Sequence, residues 1–207
     1  MKAHTKATQE SLNPEEALTI LKEGNQRFIK NLRSNRNLLE MVNETRDGQW
    51  PFAVVLSCID SRTSAELIFD QGLGDIFSAR VAGNVVNEDI LGSMEYAVKY
   101  AGSKLVLVLG HTKCGAVTSA CKNVKDGNIT ALLHKIKPAI EKASKTTQAP
   151  SDDPEFIEKV AELNVFEAMD EIRERSTIID GLEKEGKIKV VGAVYDVETG
   201  EVTFYED

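Results

Sequence analysis

Three cysteines and three histidines in 207 residues exclude whole classes of protein. An odd trio of thiols builds no disulfide framework, so the chain is expected in a reducing cytoplasm, where thiolates remain available to metal. No apolar run approaches the roughly 20 residues that a membrane-spanning helix needs, so no membrane partner is expected. Residues 1–10 lack the apolar stretch of a secretion signal. Positive charge is not in surplus: 33 acids against 25 Lys and Arg give a net charge of −8, which argues against nucleic acid as a partner. There is no internal repeat and no low-complexity segment. What is present, 42% hydrophobic and 28% charged residues, describes an ordinary globular chain that is expected to form a single domain over residues 1–207.

Residues 1–10 are polar and read as a disordered tail or arm. Asn13-Pro14-Glu15-Glu16 has the N-cap, first-turn proline and acids of a helix start, and Leu18, Leu21, Phe28 and Leu32 share one helical stripe. Residues 1–33 thus read as a tail and helical arm, whose apolar stripe is expected to be satisfied on a partner chain. Residues 34–48 read as loop with one short helix. Residues 52–57 and 104–109 are unbroken apolar runs of strand length, as expected of parallel strands buried on both faces. Residues 75–81 read as a further strand, and 64–69, 90–100 and 116–124 as helices between strands. This alternation predicts an α/β fold with a mostly parallel central sheet flanked by helices. Residues 132–143 read as one helix kinked at Pro138, 144–154 as a polar loop, and a long helix begins at Asp153-Pro154-Glu155. A short helix follows Ser176. Residues 188–195 and 201–205 read as a hairpin-like pair of strands joined through Gly200.

Two of the buried strands end on chemistry. Cys58 follows the first, and His111 follows the second, with Cys114 three residues on at the start of a helix. In open parallel sheets ligand sites gather beyond the carboxyl ends of the strands. Two thiolates and an imidazole suit Zn²⁺, which takes four protein ligands in structural sites and three in catalytic ones. The chain offers no obvious fourth Cys or His. Asp60 and Arg62 lie just beyond Cys58, where Arg62 can hold the carboxylate by charge-assisted hydrogen bonds. Asp60 then either orients zinc-bound water or closes on the metal as a fourth ligand, and both readings use the same atoms. Zinc brings the pKa of bound water from 15.7 to about 7, giving a hydroxide suited to attack a small electrophile such as CO₂.

These residues resemble the β-class carbonic anhydrases, in a Cys-x-Asp-x-Arg motif followed roughly fifty to sixty residues later by His-x-x-Cys. Gly24-Asn25-Gln26-Arg27-Phe28, Glu95-Tyr96-Ala97-Val98 and the stretch from Val190 to Tyr195 are also similar to that family. The resemblance implies one Zn²⁺ per chain on Cys58, His111 and Cys114, and Asp60 and Arg62 as catalytic dyad. It implies Gln49, Phe77, Ala82, Tyr96 and Gly115 as residues that bind CO₂ or bicarbonate, and a homodimer or tetramer with its cleft at the dimer interface. Val55 stands where a bicarbonate-inhibited subgroup carries Trp, which places the chain outside that subgroup.

Plainer readings stand beside these. Cys121 reads as a small core hydrophobe, and His4 and His134 as surface residues. Asp60 and Arg62 can be a structural ion pair, and Phe77 and Tyr96 core aromatics. Gly72-Leu73-Gly74 is a turn rather than a phosphate loop, and the lysines of 122–145 form a solvated face. A Cys-x-x-Cys is missing for thioredoxin-like chemistry, and Cys58 and Arg62 stand too close for a cysteine phosphatase. Besides CO₂ hydration, a related zinc hydrolase for carbonyl sulfide or carbon disulfide, and a non-catalytic zinc or redox-sensing protein, remain open.

Overall fold

A computed structural model describes residues 2–147 and 149–205. The unbroken apolar runs become the two innermost strands, β1 (Ala53–Ser57) and β3 (Leu105–His111), in which every residue is buried. The remaining strands are β2 (Ile76–Arg80), β4 (Lys189–Tyr195) and β5 (Val202–Tyr205). They form one sheet in the order β2-β1-β3-β4-β5, parallel except where β5 runs antiparallel to β4. The chain passes from β1 outward to β2 and then returns to the other side of β1 as β3. That reversal opens a crevice at the carboxyl ends of β1 and β3.

The helices are α1 (Lys6–Glu10), α2 (Pro14–Ile29), α3 (Leu38–Thr45), α4 (Ala65–Ile68), α5 (Glu88–Lys99), α6 (Gly115–Cys121), α7 (Gly127–His134), α8 (Lys137–Thr146), α9 (Pro154–Arg175) and α10 (Thr177–Lys184). On one face of the sheet Leu18 and Leu21 of α2 pack with Phe52, Val55, Phe69 and Leu107. On the other, Met94, Val165, Ile172 and Ile179 cover Val54, Leu56, Val106 and Val108. The long helix α9 lies close on β3 and β4 because Gly110 and Gly192 lack side chains: a Cβ at either would come within 2.6 Å of Val165 or Met169. A third cluster, containing Cys58, Cys114, Val117, Ile136, Phe156 and Val160, closes the carboxyl end of the sheet.

Several expectations change. Residues 6–10 are not a disordered tail: Thr5 caps α1, and Gln9 is buried, its amide donating to the carbonyls of Pro51 and Ala101 at 2.7 Å each. His4 is half-buried, with its ring against Phe52. The stripe of α2 is satisfied on its own sheet, where Leu18 and Leu21 are almost fully buried, and of the predicted set only Leu32, beyond the helix end, is openly exposed. The helix expected over 132–143 is two, α7 and α8. Pro138 does not kink a helix but occupies the first turn of α8, where its missing N–H has no partner to lose. Helix α8 then extends to Thr146, into the stretch expected as loop, while Gln148 of that stretch lies outside the described residues.

Candidate metal centre and active site

The sheet delivers the three candidate ligands by two routes. Cys58 leaves β1 directly, and His111 is the last residue of the neighbouring β3, which runs two residues further than expected. Cys114 reaches them because the chain reverses at Lys113, which adopts a left-handed backbone with φ 54°. The Lys113 N–H donates to Glu158 Oε1 at 2.8 Å, and its ammonium pairs with Glu198 at 2.6 Å. Cys114 then caps α6. The two sulfurs and a ring nitrogen of His111 lie within 4.8 Å of one another, and all three residues are buried.

The protonation pattern of this trio is that of a metal site. His111 Nδ1 lies 2.8 Å from the Thr112 carbonyl, which only accepts, so Nδ1 carries the proton. Nε2 is buried and without a hydrogen-bond partner. A buried ring nitrogen left unpaired costs stability unless something occupies it, and an imidazole whose other nitrogen is tied to a carbonyl is the usual arrangement of a metal-binding histidine. The Cys58 thiol is lowered to about 4, chiefly by a hydrogen bond from Cys114 and further by the Gly83 amide, 3.4 Å from its sulfur. The Cys114 thiol is pushed up by that same hydrogen bond with Cys58 and by its burial. The hydrogen bond between them lowers one thiol and raises the other, so Cys58 is the readier thiolate, and a divalent cation held by the pair would favour ionisation of both.

Asp60 is not part of this 4.8 Å cluster; its carboxylate is held by Arg62. Arg62 donates to its carboxylate from Nε at 2.9 Å and Nη2 at 2.8 Å, and the Arg62 backbone N–H adds a third bond at 2.9 Å. These bonds, the side-chain ones first, hold the Asp60 carboxyl well below the usual range, so it is ionised and an acceptor only. Beneath it, Thr63 Oγ1 is 2.9 Å from both the Cys58 and Asp60 carbonyls. Arg80 donates to the same two carbonyls, Nε to Cys58 at 3.0 Å and Nη2 to Asp60 at 2.6 Å.

The other predicted residues divide into two groups. Ala82 adjoins Gly83, whose amide meets Cys58, and Gly115 follows Cys114 with open space where a Cβ would stand. Gln49 is exposed and precedes β1, at the opposite end of that strand from Cys58. Phe77 and Tyr96 line a groove of 740 Å³ between β2 and α5, together with Val54, Arg80 and Ile90. Within one chain these three residues are not brought to Cys58, His111 and Cys114. Sequence reasoning assigned no role to Lys113, Glu158, Thr63 or Arg80. Their partners are largely backbone atoms, which leave no spacing pattern to read. Cys121 is buried without a disulfide, and burial pushes its thiol up to about 11. Among the described residues no helix is long and apolar enough to cross a membrane.

A family profile described as carbonic anhydrase matches residues 53–202. Carbonic anhydrase 2 of Mycobacterium tuberculosis is 35% identical over 192 residues, covering 91% of this chain and 91% of that protein. A carbonic anhydrase of Mycolicibacterium smegmatis is 34% identical, covering 92% of each chain. Among solved structures, the β-carbonic anhydrase CafA of Aspergillus fumigatus superimposes with a TM-score of 0.73 at 27% identity, over 93% of this chain and 90% of that one. A tetrameric β-carbonic anhydrase of Sordaria macrospora shares the fold with a TM-score of 0.75 at 23% identity, over 82% of this chain and 87% of that one.

Proposed function

The chain belongs to the β-carbonic anhydrase family and catalyses the reversible hydration of CO₂ to bicarbonate and a proton, and from that premise we propose that Cys58, His111 and Cys114 hold one Zn²⁺ with Asp60 and Arg62 as its catalytic dyad. The observation that carries this reading is the buried, unpartnered Nε2 of His111 in a residue cluster whose ring nitrogen and two cysteine sulfurs lie within 4.8 Å of one another. Two thiolates and an imidazole match zinc's preferred donors and leave a fourth position open. Zn²⁺ bound there supplies hydroxide at neutral pH by lowering the pKa of a water to about 7.

The chain's own residues do the rest. The Thr112 carbonyl fixes the His111 tautomer and the ring's direction. Asp60, ionised and pinned by Arg62, accepts the hydrogen bond of the nucleophile and so aims its lone pair at the CO₂ carbon. The Gly115 N–H at the start of α6, beside Ala82, gives the developing bicarbonate oxygen a donor. Gln49, Phe77 and Tyr96 complete the cleft from a second copy of the chain, consistent with their distance from the trio within one chain and with the exposure of Tyr96. A dimer or a dimer of dimers is thus the working unit, and each chain is one domain over residues 1–207. Three free cysteines fit a reducing cytoplasm. With a buried Val55 in place of Trp, bicarbonate inhibition is absent and activity persists near pH 7.

Asp60 turned onto Arg62 speaks against the non-catalytic reading, which needs it on the metal. Stopped-flow CO₂ hydration with metal analysis tests the whole assignment. The native protein should hold one equivalent of zinc and lose its activity with chelator, and Cys58→Ser, His111→Ala and Cys114→Ser should each lose the metal. A folded native protein with well under one equivalent of zinc and undiminished activity would sink it.

A further inference from the structure

The turn from Cys58 to Thr63 carries both a metal ligand and Asp60, and it presents two carbonyls that need donors. Thr63 Oγ1 stands 2.9 Å from each of them but has one hydrogen, so it serves one at a time. The Thr63 backbone N–H reaches only the Asp60 carbonyl, at 3.0 Å. Arg80, the last residue of β2, faces Ser57 across the parallel ladder and extends over the end of β1. Its guanidinium donates to both carbonyls at once, at 3.0 and 2.6 Å, and its Nη2 also lies 3.4 Å from Thr63 Oγ1. Among the described residues Arg80 pairs with no carboxylate. A full cationic fork is therefore committed to the backbone of one turn, in a geometry that only a planar, multi-donor group reproduces.

The consequence concerns which way Asp60 points. When the Asp60 carboxylate leaves Arg62 it also gives up the Arg62 backbone N–H, 2.9 Å from Oδ1, so its release loosens the turn as well as the side chain. The Asp60 carbonyl is among the atoms Arg80 holds. We propose that Arg80 is a positioning residue for CO₂ hydration, which locks this turn so that the Asp60 carboxylate stays on Arg62 and off the metal; the inference rests on the carbonic anhydrase reading above. Arg62 holds the carboxylate itself, and Arg80 holds the backbone from which the carboxylate hangs.

The test uses the zinc-loaded, full-length protein with Arg80→Ala, Arg80→Lys, Arg62→Ala and the Arg62→Ala/Arg80→Ala double variant. Arg80→Ala should keep one zinc per chain while kcat at neutral pH falls about tenfold or more, with KM for CO₂ little changed, as for a displaced catalytic group. X-ray absorption should show a carboxylate oxygen joining the zinc shell in Arg80→Ala but not in the parent. Arg80→Lys should fail to restore kcat, since a point charge cannot bridge both carbonyls, and it carries the same comparison if Arg80→Ala does not fold. The double variant should be no slower than Arg62→Ala, because both residues act on one carboxylate. Parent-like kcat and zinc shell in Arg80→Ala, full rescue by Lys, or losses that multiply in the double variant would each overturn the proposal. An inactive parent would instead overturn the CO₂ reading, and the zinc shell alone would then decide the role of Arg80.

Discussion

Asp70 adopts a left-handed backbone with φ 46° and is gripped by two arginines from different parts of the chain. Arg27 of α2 pairs with one carboxylate oxygen at 2.6 Å, and Arg36, just before α3, with the other at 2.5 Å. Burial alone would raise the Asp70 carboxyl, but hydrogen bonds from Arg27, Ser34 and Arg36 together hold it below its ordinary value. The stabilisation is therefore complete above the unfolded range near pH 4 and is lost as pH falls through the depressed folded value. Asp70→Asn removes a nearly buried carboxylate from Arg27 and Arg36, whose side chains are 27% and 8% exposed, and should cost about 3 kcal/mol at neutral pH, the low end for a buried pair. Urea titrations should also show its stability falling less steeply in acid than the parent's. Cys121 makes a second residue-scale test. Its thiol, pushed up to about 11 by burial, should resist iodoacetamide at pH 7.5 in the folded protein and react in guanidinium. At this scale the Cys58–His111–Cys114 cluster was legible, because its members stand at or just beyond apolar strand ends. Arg80, Lys113 and Asp70 were not, because what they hold is known only once the backbone is folded.

Elements whose residues bury a continuous stripe were read correctly. The five strands, α5 and α9 follow from their apolar runs and periods. Helix α1 escaped notice because five residues are too few to be stable alone. It exists through Gln9, which ties it to the carbonyls that precede β1 and follow α5. Gln9→Ala should leave those carbonyls short of a donor and lower stability by about 1–3 kcal/mol, seen as a lower urea midpoint with an unchanged slope. Helices α7 and α8 read as one because their apolar residues keep helical spacing across the break. A proline near the break marks a helix start as readily as a kink, and sequence does not separate the two.

At the scale of the whole molecule, the apolar surface needing cover lies after α2 rather than on it. Leu32, Leu38, Leu39 and Val42 are 50–77% exposed, and Tyr96 and Tyr100 stack on each other in the open. The proposed assembly covers them and sets Gln49, Phe77 and Tyr96 beside the Cys58–His111–Cys114 cluster of a second chain. Leu39→Glu should therefore weaken association about tenfold or more, as removal of a central interface anchor does, and reduce CO₂ hydration without loss of zinc. Light scattering that finds a fully active monomer would refute the shared cleft. The sheet order also governs how the molecule is made. Ala53 must find Leu105 across the parallel ladder before Cys58 and His111 become neighbours. Such distant pairings dominate the folding barrier of parallel sheets. If the cluster holds Zn²⁺ as proposed, the ion arrives at a protein already past its slowest step, so zinc should leave the refolding rate almost unchanged and act almost wholly by slowing unfolding.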